Sequence, residues 1–273
     1  VVRNNDHQTP TPETNEMSKK EQKELNPPTT LVGKIAAGFL NWLERRIENW
    51  SKVGNPPVYD NAVFPWAAEV EREWHLIRDE LLQVLEHKDE LPSFHEITKE
   101  VETITTDNNW KTFFLYGYGV KAEGNCARCP NTDRLLKKIP GMKTAMFSIL
   151  SPGKHIPPHR GPYNGVLRYH LGLIVPEPKE QCRIRVADQI CHWEEGKGLL
   201  FDDSFDHEVW NDTNGTRVVL FVDFVRPIRW PFNWVNWLVL NLSVFTPHLR
   251  EASQNQKNWE KKFYGKQAAN DTK

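Results

Sequence analysis

Between Met146 and Arg217, histidine, arginine, serine and carboxylate residues sit among β-like runs, and these are the residues of this chain whose types and spacing can do chemistry. The first cluster reads His159-Arg-Gly-Pro-Tyr-Asn-Gly-Val-Leu-Arg168-Tyr-His170. The second reads Phe201-Asp-Asp-Ser-Phe-Asp-His207-Glu-Val-Trp, with Arg217 opening the next run. Imidazole suits ferrous iron, and two histidines plus one carboxylate on one face leave the opposite positions open for a co-ligand and dioxygen. His159 and His207 are the candidate pair. Arg217 would put a cation on the neighbouring strand, suited to a dicarboxylate. Two residues after His159, where the carboxylate ligand commonly stands, the chain has Gly161. Asp202, Asp203 and Asp206 are candidates to replace it or to act behind the ligands, and two histidines completed by water are the alternative.

These residues need strands to hold them. Leu171–Val175 is an apolar run ended by Pro176, Arg183–Val186 alternates before a turn near Asp188, Gly198–Phe201 delivers Asp202 to His207 into a turn, and Arg217–Val225 is the strongest strand pattern. Trp110–Val120 and Thr144–Leu150 precede the first cluster. Short strands separated by turns predict a mainly β sandwich or barrel rather than a βαβ nucleotide fold. Around it, Leu31, Ile35, Phe39, Trp42, Leu43 and Ile47 recur at helical spacing up to Trp50, and Pro65–Glu86 and Asn131–Ile139 read as further helices. The Trp-rich stretch from Arg226 to Phe245 is interrupted by Asn236, Asn241 and Ser243, whereas a transmembrane helix needs about 20 apolar residues. It predicts an interfacial helix headed by Arg226 and Arg229, or a cap on the barrel. The division expected is a disordered tail over 1–30, an amphipathic helix over 31–55, a catalytic domain over 56–230 with its core at 110–227, and a Trp-rich helix with a polar C-terminal segment over 231–273.

Composition adds bounds. Lys and Arg number 35 against 36 Asp and Glu, for a net charge of -1, so no global field calls for a nucleic-acid partner. Cys126-Ala-Arg-Cys129 has no second half to complete a zinc set, and Cys182 with Cys191 fits a hairpin or reduced core thiols. The expected location is the cytoplasm, with peripheral membrane contact through 231–249.

The chain resembles the aspartyl/asparaginyl β-hydroxylases, which are Fe(II)- and 2-oxoglutarate-dependent dioxygenases. The resemblance runs from about Trp110 to Pro227 and rests on Phe147-Ser148-Ile, Pro158-His159-x-Gly-Pro, Leu167-Arg168-Tyr-His170-Leu-Gly-Leu, Phe201 through Asn211, and Arg217. It implies a double-stranded β-helix (jelly-roll, cupin-like) barrel and a site without the third carboxylate. His159 and His207 would hold iron, Ser148 and Arg217 the distal carboxylate of 2-oxoglutarate, and Trp110, Arg168 and His170 would complete that pocket. The substrate implied first is a peptidyl Asp or Asn. Val166, where peptide-modifying members carry a further arginine, and the Trp-rich tail are similar instead to the bacterial lipid A hydroxylase branch, which implies a lipid acyl chain. A non-catalytic binding module on the same barrel is the reading from a different class.

Overall fold

The computed structural model describes residues 31–117, 120–243 and 245–271, and the tail expected over 1–30 lies outside the described residues. In chain order the strands are β1 (Val58–Tyr59), β2 (Trp110–Gly117), β3 (Val120–Lys121), β4 (Met142–Leu150), β5 (Lys154–His159), β6 (Val166–Ile174), β7 (Cys182–Val186), β8 (Gln189–His192), β9 (Gly198–Phe201), β10 (His207–Asn211) and β11 (Arg217–Val225). The helices are α1 (Leu31–Trp50), α2 (Pro65–Arg72), α3 (Trp74–Leu85), α4 (Phe94–Ile97), α5 (Glu123–Arg128), α6 (Pro130–Leu136), α7 (Phe232–Ser243) and α8 (Pro247–Asp271).

Two antiparallel sheets face each other, one ordered β1-β9-β6-β11-β4-β2-β3 and the other β5-β10-β7-β8. This mainly β sandwich with flanking helices is a jelly roll. β11 is central because β-branched and aromatic side chains cover both its faces, and it pairs with β4 on one side and β6 on the other. Alternation then sorts its residues. Val218, Leu220, Val222 and Phe224 turn outward onto α2 and α3 through Phe64, Ala67, Val70, Ile77 and Leu81. Val219 and Phe221 turn inward with Met146, Ile156, Ile184 and Val209 from the facing strands. Arg217 and Asp223 share that inward parity, so the period of two places both in the barrel interior.

The helix expected over Pro65–Glu86 is two helices. Glu73 leaves the helical region at φ -107° and ψ 17°, and its carboxylate accepts from Arg134 Nη2 at 2.6 Å. The break lets α3 turn across the sheet instead of running past it. The C-x-x-C motif spans α5 and the start of α6. Both thiols are buried and free, and burial pushes that of Cys126 up to about 12, so they behave as core residues.

Arg226 overturns one expectation. It does not head an interfacial helix facing lipid but is 1% exposed. Its guanidinium is paired with Asp202, Nε donates to the Asn164 carbonyl at 2.7 Å, and Nη1 donates to the Tyr59 hydroxyl at 3.1 Å. The physical reason lies in position: Arg226 follows β11 directly and is pinned where β6, β9 and the end of α1 meet. Arg226→Met should therefore strand a buried carboxylate and lower stability by about 3–5 kcal/mol, read as a fall in the denaturant midpoint at unchanged slope.

Candidate active site

The site is built on the facing strands β5 and β10, where His159 and His207 are direct cross-strand partners. Their ring centroids are 4.1 Å apart. His159 Nδ1 lies 2.8 Å from the Pro157 carbonyl and His207 Nδ1 lies 2.9 Å from the Phe205 carbonyl. A carbonyl only accepts, so each Nδ1 donates and each Nε2 keeps a free lone pair. Burial drives the His159 imidazole down to about 4 and that of His207 well below its ordinary value, helped by His159 and Arg168. Both rings are therefore neutral at physiological pH, the form that binds metal. Among the described residues, no group of three or more His, Cys, Asp or Glu side chains is arranged to hold a metal. The pair that β5 and β10 hold side by side is therefore two neutral imidazoles.

Gly161 has a steric cause. A Cβ there would collide with the Asp203 carboxylate, and the Gly161 amide donates to the Asp203 carbonyl at 2.6 Å. Asp203 thus fills the space where a ligand side chain would start. Asp202 is held by Arg226 and Asp206 by Arg185 at 2.7 Å, so these two carboxylates serve the framework.

Inside the large sheet a second, cationic region adjoins the imidazoles. Arg217 is buried, and among the described residues its Nε and Nη1 have no hydrogen-bond partner. Its guanidinium lies 4.6 Å from the Trp193 ring centroid, and burial lowers it to about 10, which leaves it a cation at neutral pH. Ser148 is diagonal to it on β4, since Ser148 pairs with Val219. Trp110 Nε1 donates to Ser148 Oγ at 3.0 Å, which leaves the hydroxyl proton free for an anion. His170 is buried with neither ring nitrogen bonded, and burial, Arg217 and Arg168 together keep it neutral. A buried cation beside unused donors fits an anionic co-ligand with a carboxylate end. Trp110, Ser148, His170 and Arg217 are brought together in this way.

Arg168 points into the same barrel but is engaged differently. Its Nη2 lies 2.8 Å from Asp203 Oδ2 and its Nε 2.8 Å from Asp223 Oδ1, and it stacks 4.2 Å over the Phe221 ring. Two carboxylates share one guanidinium, and burial, opposed by Arg168 and reinforced by Asp223, pushes Asp203 up to about 7. Spacing alone did not reveal Asp223 or Trp193; strand parity was the signal that could have found Asp223, two residues after the inward Phe221. From His159 and Phe221 a cavity of about 640 Å³ runs outward between β2 and α8.

Fold and site together define a jelly-roll protein with two paired histidines and a buried arginine in the barrel interior. A family model, aspartyl/asparaginyl beta-hydroxylase, matches residues 71–227. Ornithine lipid ester-linked acyl 2-hydroxylase of Rhizobium tropici is 58% identical over 228 residues, which cover 84% of this chain and 81% of that protein. Human aspartyl/asparaginyl beta-hydroxylase is 42% identical over 163 residues, 58% of this chain but 21% of that much longer protein. A Pseudomonas putida prolyl-4-hydroxylase structure aligns at a TM-score of 0.38 with 21% identity, over 56% of this chain and 87% of that one. The chain belongs to the aspartyl/asparaginyl β-hydroxylase family.

Two tests follow from the geometry. His207→Ala should abolish stoichiometric Fe(II) binding measured by anaerobic titration, with the far-ultraviolet circular dichroism unchanged. Asp203 gives a pH signature. An unfolded aspartate ionises near ~3.9 and the folded one near about 7, so between these values the folded state holds the extra proton. The stability this group contributes falls as pH rises through that window. Asp203→Asn should gain stability relative to wild type from about pH 4 to about pH 7, seen as converging or crossing unfolding midpoints.

Proposed function

We propose that the chain is an Fe(II)- and 2-oxoglutarate-dependent hydroxylase acting on the acyl chain of a membrane lipid. The observation that carries this reading is the outer wall of the cavity, which Phe94, Ile97, Val101, Phe245 and Leu249 make apolar. An acyl chain fits such a wall. Within it, the Gln256 amide and the Thr144 hydroxyl are buried without hydrogen-bond partners, which suits an ester or amide link near the chain to be oxidised. A peptidyl aspartate instead needs a cation for its carboxylate. The arginines of the motif that line the cavity already face acids, Arg160 with Glu44 at 3.7 Å and Arg168 with Asp203 and Asp223. The relative that is 58% identical is named for lipid acyl 2-hydroxylation, and its 228 matched residues extend beyond the 71–227 span of the family model. These points reverse the order suggested by the motifs, making peptidyl Asp or Asn the alternative substrate.

His159 and His207 would present Nε2 to the metal, with their Nδ1–H groups fixed on backbone carbonyls. Arg217 and Ser148 would hold the distal carboxylate of 2-oxoglutarate, Trp110 orienting the hydroxyl. Neutral His170, between the rings of Phe201 and Phe221 at 5.0 and 5.1 Å, would line this pocket without a competing charge. Bound iron would supply the oxidising power by which dioxygen and 2-oxoglutarate convert C–H to C–OH, one oxygen atom entering substrate, the other succinate, and carbon dioxide leaving.

Iron-loaded protein given membrane lipid extract and an Asp-containing peptide library should add the mass of one oxygen atom to lipid alone, with equimolar succinate. A gain confined to peptide overturns the lipid reading. Arg217→Gln should weaken 2-oxoglutarate binding by roughly ten- to a hundredfold or more through loss of a charge-assisted contact, while Fe(II) still loads.

A further inference from the structure

Outside the barrel, α1 and α7 form a surface that nothing in the centre uses. Leu31, Ile35, Phe39 and Trp42 follow one stripe of α1 and are exposed, Leu31 by 74%. Trp230, Trp234 and Trp237 follow one stripe into α7 and are exposed by 77%, 60% and 54%. The two helices are fastened side by side. Arg229 N donates to the Trp50 carbonyl and Lys52 N to that of Pro227, both at 2.9 Å, and Leu43, Ile47, Ile228 and Phe232 pack between them. The inner faces are thus satisfied and the aromatic residues still point out. Trp42 and Trp50 meet Phe232 at 5.9 and 5.4 Å, so the aromatic surface is continuous across both helices. A patch of this kind on a folded domain marks an interaction site.

Charge selects the partner. No residue of α7 is charged, and the exposed charges beside the patch are Lys34, Arg45, Arg46, Lys52 and Arg229 against Glu48, since Glu44 is buried. This local excess of cations stands in a chain whose net charge is -1. Arg46 lies 5.6 Å over the Trp42 ring and Arg250 lies 5.7 Å over that of Phe245. Arginine beside an exposed aromatic ring is the arrangement of a membrane interface, the ring at headgroup depth and the cation at the phosphates. No helix among the described residues is long and apolar enough to cross a membrane, so contact there means lying on the surface. Phe245, 64% exposed, also lines the active-site cavity together with Arg250.

We infer that the α1–α7 surface docks the protein on an anionic bilayer and sets the mouth of the cavity, at the corner between α7 and α8, against the lipid. The docking stands on the surface itself; the orientation of the mouth rests on the acyl-chain reading above. A lipid chain would then enter from the bilayer without crossing water.

The test uses the full chain with vesicles of phosphatidylcholine, alone or mixed with phosphatidylglycerol, read by co-sedimentation. The expected result is binding to the anionic vesicles that weakens with salt. Arg45→Gln with Arg46→Gln should lower the partition coefficient by roughly 25-fold, about fivefold per cation, and Ile35→Asp with Trp237→Asp should abolish binding. Fe(II) binding and circular dichroism should stay at wild-type levels in both, because none of these residues touches the cavity. The proposal is overturned if the intact chain ignores anionic vesicles or if both variants bind as wild type. It is also overturned if wild type is a dimer that ignores vesicles and Trp237→Asp makes it a monomer, since the surface would then belong to a second copy. Hydroxylation of lipid in detergent micelles separates the two readings. Vesicle binding without micelle activity overturns the acyl substrate and the orientation with it but leaves the docking surface standing, and micelle activity without vesicle binding overturns the docking.

Discussion

Keeping a guanidinium in the barrel interior without a carboxylate is the constraint on which the rest of the structure depends. A buried charge costs several kcal/mol unless it is compensated, and among the described residues Arg217 has no hydrogen-bond partner at Nε or Nη1 while its guanidinium lies over the face of Trp193. The surroundings make the position tolerable. β11 is clamped on both sides by long antiparallel partners, and the histidines nearby stay neutral. A framework clamped in this way can hold a cation whose Nε and Nη1 are unsatisfied.

The three inward or buried arginines show how one residue type is divided among tasks. Arg226 is saturated by Asp202, two backbone carbonyls, Asn55 and Tyr59 and locks the end of β11 to the chain after α1. Arg168 is shared by Asp203 and Asp223 and forms part of the cavity wall. Arg217 is left open. The difference is set by neighbours: a carboxylate stands within reach of the first two, while Cys182 and Trp193 stand beside the third.

Much of this was legible in the chain. Residues 217–225 read as a strand because β-branched and aromatic residues fill both parities, and the two histidines read as a pair because each ends or begins a strand-like run. What the sequence could not carry was contact between distant segments. Arg226 looked like the head of an amphipathic helix, yet its partners come from residues 54–59, 164 and 202. Gly161 looked like a missing ligand until Asp203, from the following loop region, was seen to fill its space. The break at Glu73 was invisible for the same reason, since periodicity continues through it while the ion pair to Arg134 comes from another helix.

The two histidines and the cavity wall are held in place by different physics. His159, His207, Ser148 and Arg217 are fixed by strand register, where a shift of one residue would turn each to the wrong face. Phe245, Leu249 and Gln256 come instead from the helical segment after the barrel, whose placement depends on side-chain packing such as Trp259 against Phe113 at 6.2 Å. Packing of that kind tolerates volume-conserving exchange at modest cost. The matched family span ends at residue 227, before this segment begins. Changes in the outer wall can therefore reshape what enters the cavity while register keeps the two imidazoles and the arginine where they are.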